Sequence, residues 1–181
     1  MTLLRRLLAN ARRFGRDRSA IAAVEFSLIL PMMVVLYLGG FEVSEAVTIN
    51  RKVTHATSSL GDLVAQSNSV TTADITNILD AVAAVMNPYP TTAMTMVVSG
   101  VTINAAGVAT VTWSDARNGP AHTAGAPFVL PDGVRQPSTF LVVAEVSYRY
   151  EPRLGRIITG PIDLTEEFYL RPRLGTTVTR R

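Results

Sequence analysis

Residues 20–42, AIAAVEFSLILPMMVVLYLGGFE, carry a single charged side chain, Glu25, between Ala20 and Phe41. Those 22 residues, at about 1.5 Å rise each, make a helix of roughly 33 Å, enough to cross the hydrocarbon of a bilayer. The stretch reads as a membrane-spanning helix with a domain behind it, not as the core helix of a soluble protein. Its one carboxylate is the anomaly. An acidic residue at the centre of such a helix costs roughly 2.5–3.5 kcal/mol on insertion scales, so Glu25 calls for a partner or a task. Pro31 removes one backbone donor and predicts a bend, and Gly39-Gly40 weaken the helix near the far interface.

Working outward, Arg5, Arg6, Arg12, Arg13, Arg16 and Arg18 face only Asp17 in the leader. That segment carries +5, and of the chain's net +3 the remainder carries −2. The basic balance therefore belongs to residues 1–20 and does not indicate a nucleic-acid partner. Arginine asymmetry places the leader in the cytoplasm and everything after Phe41 across the membrane. Leu3, Leu4, Leu7, Leu8, Ala11 and Phe14 recur at helical spacing among the arginines. This fits a basic amphipathic helix on an anionic inner leaflet, or a solvated leader that only sets orientation.

The chain has no cysteine, so the roughly 140 residues beyond the span must fold on their own apolar core. The division expected is a leader over 1–20, a transmembrane helix over 21–41 and an α+β domain over 42–181. Ala46, Ile49, Val53, Ala56, Leu60 and Leu63 alternate at three-four spacing and continue the helix over 42–66. Thr71 with Asp74 three residues on is a capping-box pair opening a helix over 72–86, which Asn87-Pro88-Tyr89-Pro90 ends.

Strands are expected within 94–171. Met94, Met96 and Val98 alternate, and the apolar parity shifts to Val101 and Ile103 across Gly100, as a bulge or bend would produce. Asn104-Ala105-Ala106-Gly107 is a hairpin loop, with Ala109, Val111 and Trp113 on one face of the return strand. A long irregular segment, Asp115 to Ser138, separates this hairpin from Phe140–Tyr150. After the turn-rich EPRLGRIITGPID comes a last strand from Leu164 to Arg171. The result is a long helix, a short helix and an antiparallel sheet of about four strands.

Catalytic signals are sparse. His55 falls on the polar side of the long helix, and His122 lies in the irregular segment near Ser114, Asp115 and Asp132 in sequence. A triad or metal site needs more convergent ligands than this, so both read as exposed structural residues. No phosphate-binding glycine loop or dinucleotide fingerprint is present. No cofactor, no metal and no catalytic residue is expected, and the chain is not read as an enzyme. Trp113, Tyr148 and Tyr150 read as sheet-face or core aromatics. Arg171, Arg173, Arg180 and Arg181 read as a solvated basic tail, or as an electrostatic contact to a partner subunit.

The junction motif combines Ala20, Glu25, Phe26 and Pro31 around the apolar run. It resembles the type III signal of type IV pilins and pseudopilins. More narrowly, it is similar to the TadE/TadG-like family of the tight-adherence (Tad/Flp) pilus system, as is LTEEFYLRPRL near the C-terminus. The resemblance implies a pilin-like fold and a bacterial inner-membrane location, single pass, with the domain periplasmic and a possible place in the pilus. It implies partners among other Tad pilins, pseudopilins and platform proteins, and a prepilin peptidase cutting between Ala20 and Ile21. Cleavage there makes Glu25 the fifth residue of the mature chain, where it pairs with a neighbouring subunit's new amine and fixes register.

Ala20 departs from the glycine usual before that cut, which leaves an unprocessed single-pass accessory or binding protein as the alternative. A secreted form cut after Ser44-Glu45-Ala46 is a third reading. It requires an unusually long apolar region and splits the helical pattern.

Overall fold

In the computed structural model, residues 18–152 and 160–181 are described, with side chains from Ile21 onward. The amphipathic leader over 1–17, the side chain of Ala20 and residues 153–159 of the turn-rich stretch lie outside the described residues. Helix α1 (Arg18–Ala65, 48 residues) is unbroken through Pro31 and Gly39-Gly40. It contributes to two compact units, one ending at Ser44 and the other running from Glu45 to Arg181.

The second unit is α+β, as the periodicities require. Its helices are the second half of α1 and α2 (Thr72–Ala84), with the short strand β1 (Ser69–Val70) between them. Four strands, β2 (Met94–Ile103), β3 (Ala109–Arg117), β4 (Thr139–Tyr150) and β5 (Ile162–Leu170), form an antiparallel sheet in the order β3-β2-β4-β5. A last strand, β6 (Thr179–Arg180), runs parallel to β1.

Ile49, Val53, Ala56, Leu60 and Val64 form the buried stripe of α1. Leu63, expected to end that stripe, is exposed. Leu60 is followed in the core by the residue four positions on, as 3.6 residues per turn dictates over a straight helix. Gly61 lies on the same side, where a β-carbon would meet the Leu170 methyl and sit 3.3 Å from that of Ala144. The glycine therefore allows α1 to approach β4 and β5 closely.

The expected capping box is present. Asp74 N–H donates to Thr71 Oγ1 at 3.2 Å, and Thr71 N–H donates back to Asp74 Oδ2 at 2.9 Å. The Thr71 hydroxyl also donates to Asp74 Oδ2 at 2.7 Å, and this bond, with the Thr71 N–H second, holds the Asp74 carboxyl below its ordinary range. At the other end of α2, Lys52 Nζ donates to the carbonyls of Val85 and Asn87, both at 2.9 Å. That charge sits where unpaired carbonyls collect.

Both faces of the sheet are covered in part. The helix side holds Met94, Met96, Val98, Val142, Ala144, Val146, Tyr148 and Tyr150. The opposite side holds Val101, Ile103, Ala109, Leu141 and Val143 beneath Leu130, Phe128 and Val134 of the long β3–β4 connection.

This arrangement revises the reading of the hairpin. The register of β2 against β4 is continuous from Met94↔Tyr148 to Ile103↔Thr139, so the parity change across Gly100 is not an irregularity in that pairing. It marks a central strand whose two faces enter different cores. The irregularity lies against β3, where Gly100 pairs with Trp113 and Val101 with Val111, leaving Thr112 as the extra residue. Ala109 therefore belongs to the outer core and Trp113 to the helix-side core, not to one face. A β-carbon on Gly100 would collide with Trp113 Nε1 and sit 2.6 Å from Phe140 Cζ, which explains the glycine.

The C-terminal arginines are not a solvated tail. Arg173 N–H donates to the Ala65 carbonyl at the end of α1 at 2.8 Å, and its side chain pairs with Asp62. Arg180 binds Asp115 through Nε at 2.7 Å and Nη2 at 3.0 Å, and reaches the Thr72 hydroxyl at 3.0 Å. Val178 is buried, and its carbonyl accepts the Trp113 indole N–H at 2.8 Å. Asp62 and Asp115 are the local partners that hold the basic segment in place.

Candidate functional site

Every side chain of α1 from Ile21 to Tyr37 is exposed. Leu28, Met32, Val35, Leu36 and Tyr37 exceed 60% exposure, an apolar surface that water does not tolerate at this extent. A helix apolar on all sides is a membrane span or the core of a larger assembly. The segment is long and apolar enough to cross a membrane.

Within it, Glu25 is exposed and, among the described residues, meets no donor. Phe26 follows, 60% exposed. Pro31 sits inside the helix and leaves the Ser27 carbonyl without its i+4 N–H donor. The peptide between Ala20 and Ile21 falls within the first turn of α1, whose helix begins at Arg18. A β-carbon on Gly39 or Gly40 would meet nothing within 4 Å. Among the described residues, nothing demands glycine at these two positions.

The other polar residues assemble differently from any hydrolytic centre. His55 is exposed on α1, with Ser59 Oγ 3.4 Å from its Nδ1. His122 turns its Nε2 to Glu145 Oε2 at 2.6 Å and packs edge-on against Phe128 with ring centroids 5.2 Å apart. Ser114 Oγ accepts the backbone N–H of His122 at 3.1 Å, not its ring, and a hydrogen bond from Ser99 at 2.9 Å. Asp115 is engaged by Arg180, and Asp132 lies 3.6 Å from Arg135. The imidazole thus faces a carboxylate and no hydroxyl, which pins the β3–β4 connection over the sheet. Among the described residues, no group of three or more His, Cys, Asp or Glu side chains could hold a metal ion.

Three contacts were beyond sequence reasoning: Gly61 beneath Leu170, Gly100 beneath Trp113, and Arg180 with Asp115. An isolated glycine inside a helical or strand pattern is the available signal for the first two. The third joins residues 65 positions apart and has no local signature.

Residues 20–59 match the family model described as TadE-like protein, of Tad pilus systems. The match bears out the resemblance over about a fifth of the chain, from Ala20 through the exposed half of α1 and into the half that packs on the sheet. Neither a curated protein nor a solved structure matched the chain.

Proposed function

We propose, from a TadE-like segment that opens a single apolar helix, that the chain is a minor pseudopilin or membrane-anchored assembly component of a bacterial Tad-type pilus or secretion machine. The TadE-like match implies a Tad pilus-associated component. The finer role rests on one observation. Glu25 is the only charge between Ala20 and Phe41, and among the described residues it meets no donor.

A carboxylate so placed is satisfied from outside the chain. In a bundle of like helices it disfavours every register that leaves it in hydrocarbon unpaired, because that loss is larger than what a shift of apolar contacts returns. In this reading the leader stays cytoplasmic, residues 21–41 span the inner membrane and the unit from Glu45 lies in the periplasm. Helix packing and subunit contacts are the work, not catalysis. Cleavage by a prepilin peptidase between Ala20 and Ile21 requires the first turn of α1 to unwind and supplies an amine as the natural partner.

The second reading keeps the same anchor uncut. It is favoured by Ala20 at the position before the cut, where glycine is usual in processed pilins. Glu25 then pairs with a cation of another Tad component.

Intact mass and N-terminal sequencing of protein extracted from native membranes separate the two. A start at Ile21 supports the processed pseudopilin, and an uncut leader supports the anchor. For either reading, Glu25→Gln is expected to leave the folded unit intact and to abolish incorporation with other Tad components. Normal assembly by that variant sinks the register role.

A further inference from the structure

The two edges of the sheet are treated differently. Along β3 the chain covers its own edge. Val111 N–H donates to Ala126 at 3.0 Å, Gly125 N–H to Val111 at 2.8 Å and Phe128 N–H to Ala109 at 3.0 Å. Along β5, nine residues long, no described residue bonds to the backbone of the outer side. An open strand edge is a template for another strand unless something forbids pairing.

What β5 presents is selective. Asp163, Thr165, Glu167 and Tyr169 alternate on the face away from the helices, where Tyr169 stands opposite Val143 of the outer core. Glu167 stands opposite Glu145 and accepts the Tyr169 hydroxyl at 2.5 Å. Burial, together with that carboxylate, pushes the Tyr169 phenol up from its ordinary value, and Asp163 stands opposite Arg149, so Asp163, Glu145 and Glu167 outnumber the one arginine among these opposed pairs. On the helix side Glu166 takes a hydrogen bond from Thr54 at 3.2 Å. A second copy of β5 paired antiparallel about Thr165 would set Asp163 against Glu167 twice, and like charges directly opposed are destabilising. A strand bearing cations four residues apart on one face would meet both carboxylates.

We infer that the outer edge of β5 is a docking edge for an extended cationic segment of a partner protein, which adds as a fifth strand to the sheet. Backbone bonds along the edge supply the attachment, and Asp163 and Glu167 choose the partner. This surface is independent of Glu25 and stands whether or not α1 enters a filament.

The test uses the full chain in detergent micelles and a labelled peptide, TVKVTVKVT, followed by fluorescence anisotropy. Two further peptides carry N-methyl groups on the odd or on the even residues, so that each removes the donors of one strand edge. The parent peptide is expected to bind, one methylated form to bind about tenfold more weakly or worse, and the other to match the parent. Replacing both lysines by glutamate is expected to weaken binding by about tenfold. Asp163→Asn with Glu167→Gln is expected to weaken the lysine peptide by about three- to tenfold.

Equal binding of both methylated forms reduces the contact to loose charge adhesion and overturns the proposal. So does equal binding of the glutamate peptide, or no binding of the parent. A concentration-dependent dimer at neutral pH that Thr165→Pro removes would assign the edge to a second copy, and also overturns it.

Discussion

From Ile21 to Tyr37 every side chain of α1 is exposed, whereas Ile49, Val53, Ala56, Leu60 and Val64 of the same helix are at most 1% exposed. The two halves differ in pattern more than in helix-forming residues. In the packed half, Glu45, Lys52, Ser59 and Asp62 interrupt the apolar residues at helical spacing, so one stripe faces the sheet and the rest faces water. In the exposed half only Glu25 interrupts them, and no stripe exists to choose a single buried side. The helix therefore has two solvents. One half is held by its own chain, and the other waits for lipid or neighbouring helices.

The largest test of this contrast sets Leu60→Ala against Leu28→Ala. Leu60 is fully buried and Leu28 is 75% exposed. The sole tryptophan, Trp113, is 6% exposed in the helix-side core, so its fluorescence reports unfolding of that unit. In mild detergent with added denaturant, Leu60→Ala is expected to lose about 2–5 kcal/mol. Leu28→Ala should stay within about 0.5 kcal/mol of the unaltered chain. Comparable losses at the two positions would break the contrast.

Glycine sharpens it further. Gly61→Val drives a side chain into Leu170 and Ala144, and the overpacking is expected to cost about 1–3 kcal/mol by the same measurement. Gly39→Ala meets nothing within 4 Å among the described residues. It should leave Trp113 unfolding unchanged while strengthening the helix locally by roughly 0.5–1 kcal/mol. Slower amide exchange around residues 36–43 is the readout. Should Gly39→Ala stay folded and yet fail to assemble, the position is packed by another molecule.

Where this fold was legible in the sequence, a local pattern carried it. Thr71 and Asp74 make the box they spell, and the apolar run supplies the exposed stretch of α1 from Ile21 to Tyr37. Asn104–Gly107 closes the hairpin, with Gly107 N–H donating to Asn104 at 3.0 Å and φ at +80°.

What was illegible depended on contacts between distant residues. The extra residue at Thr112 turns Trp113 to the helix side, and single-strand alternation cannot register that. Arg173 and Arg180 resembled part of a solvated tail because their partners, Asp62 and Asp115, lie far away in sequence. Glu25 stands out from sequence because a charge in an apolar run is conspicuous without any fold; the assembly role of Glu25 and Phe26 and the cut between Ala20 and Ile21 belong to the proposal.

Smaller effects test how the packed half is fastened. Lys52 ties α1 to the end of α2 through two carbonyls, and Lys52→Met is expected to cost about 1–2 kcal/mol, since hydrogen bonds from a charged donor exceed neutral ones. At the opposite end of α2, the Asp74 carboxyl is held below its ordinary value of 3.8 by the Thr71 hydroxyl and backbone.

A depressed carboxyl stabilises the folded state fully above its unfolded value, and that contribution fades as pH falls through the lower folded value. The melting temperature of the unaltered chain should therefore exceed that of Asp74→Ala by a constant margin at neutral pH. The margin should narrow as the pH drops below about 4. Taking the difference between the two proteins cancels the other carboxylates that titrate in the same range. Glu25→Gln, in the half that the folded unit does not hold, should show no such margin at any pH. If it does, the two halves of α1 are coupled in stability, and the helix does not divide where its burial says it should.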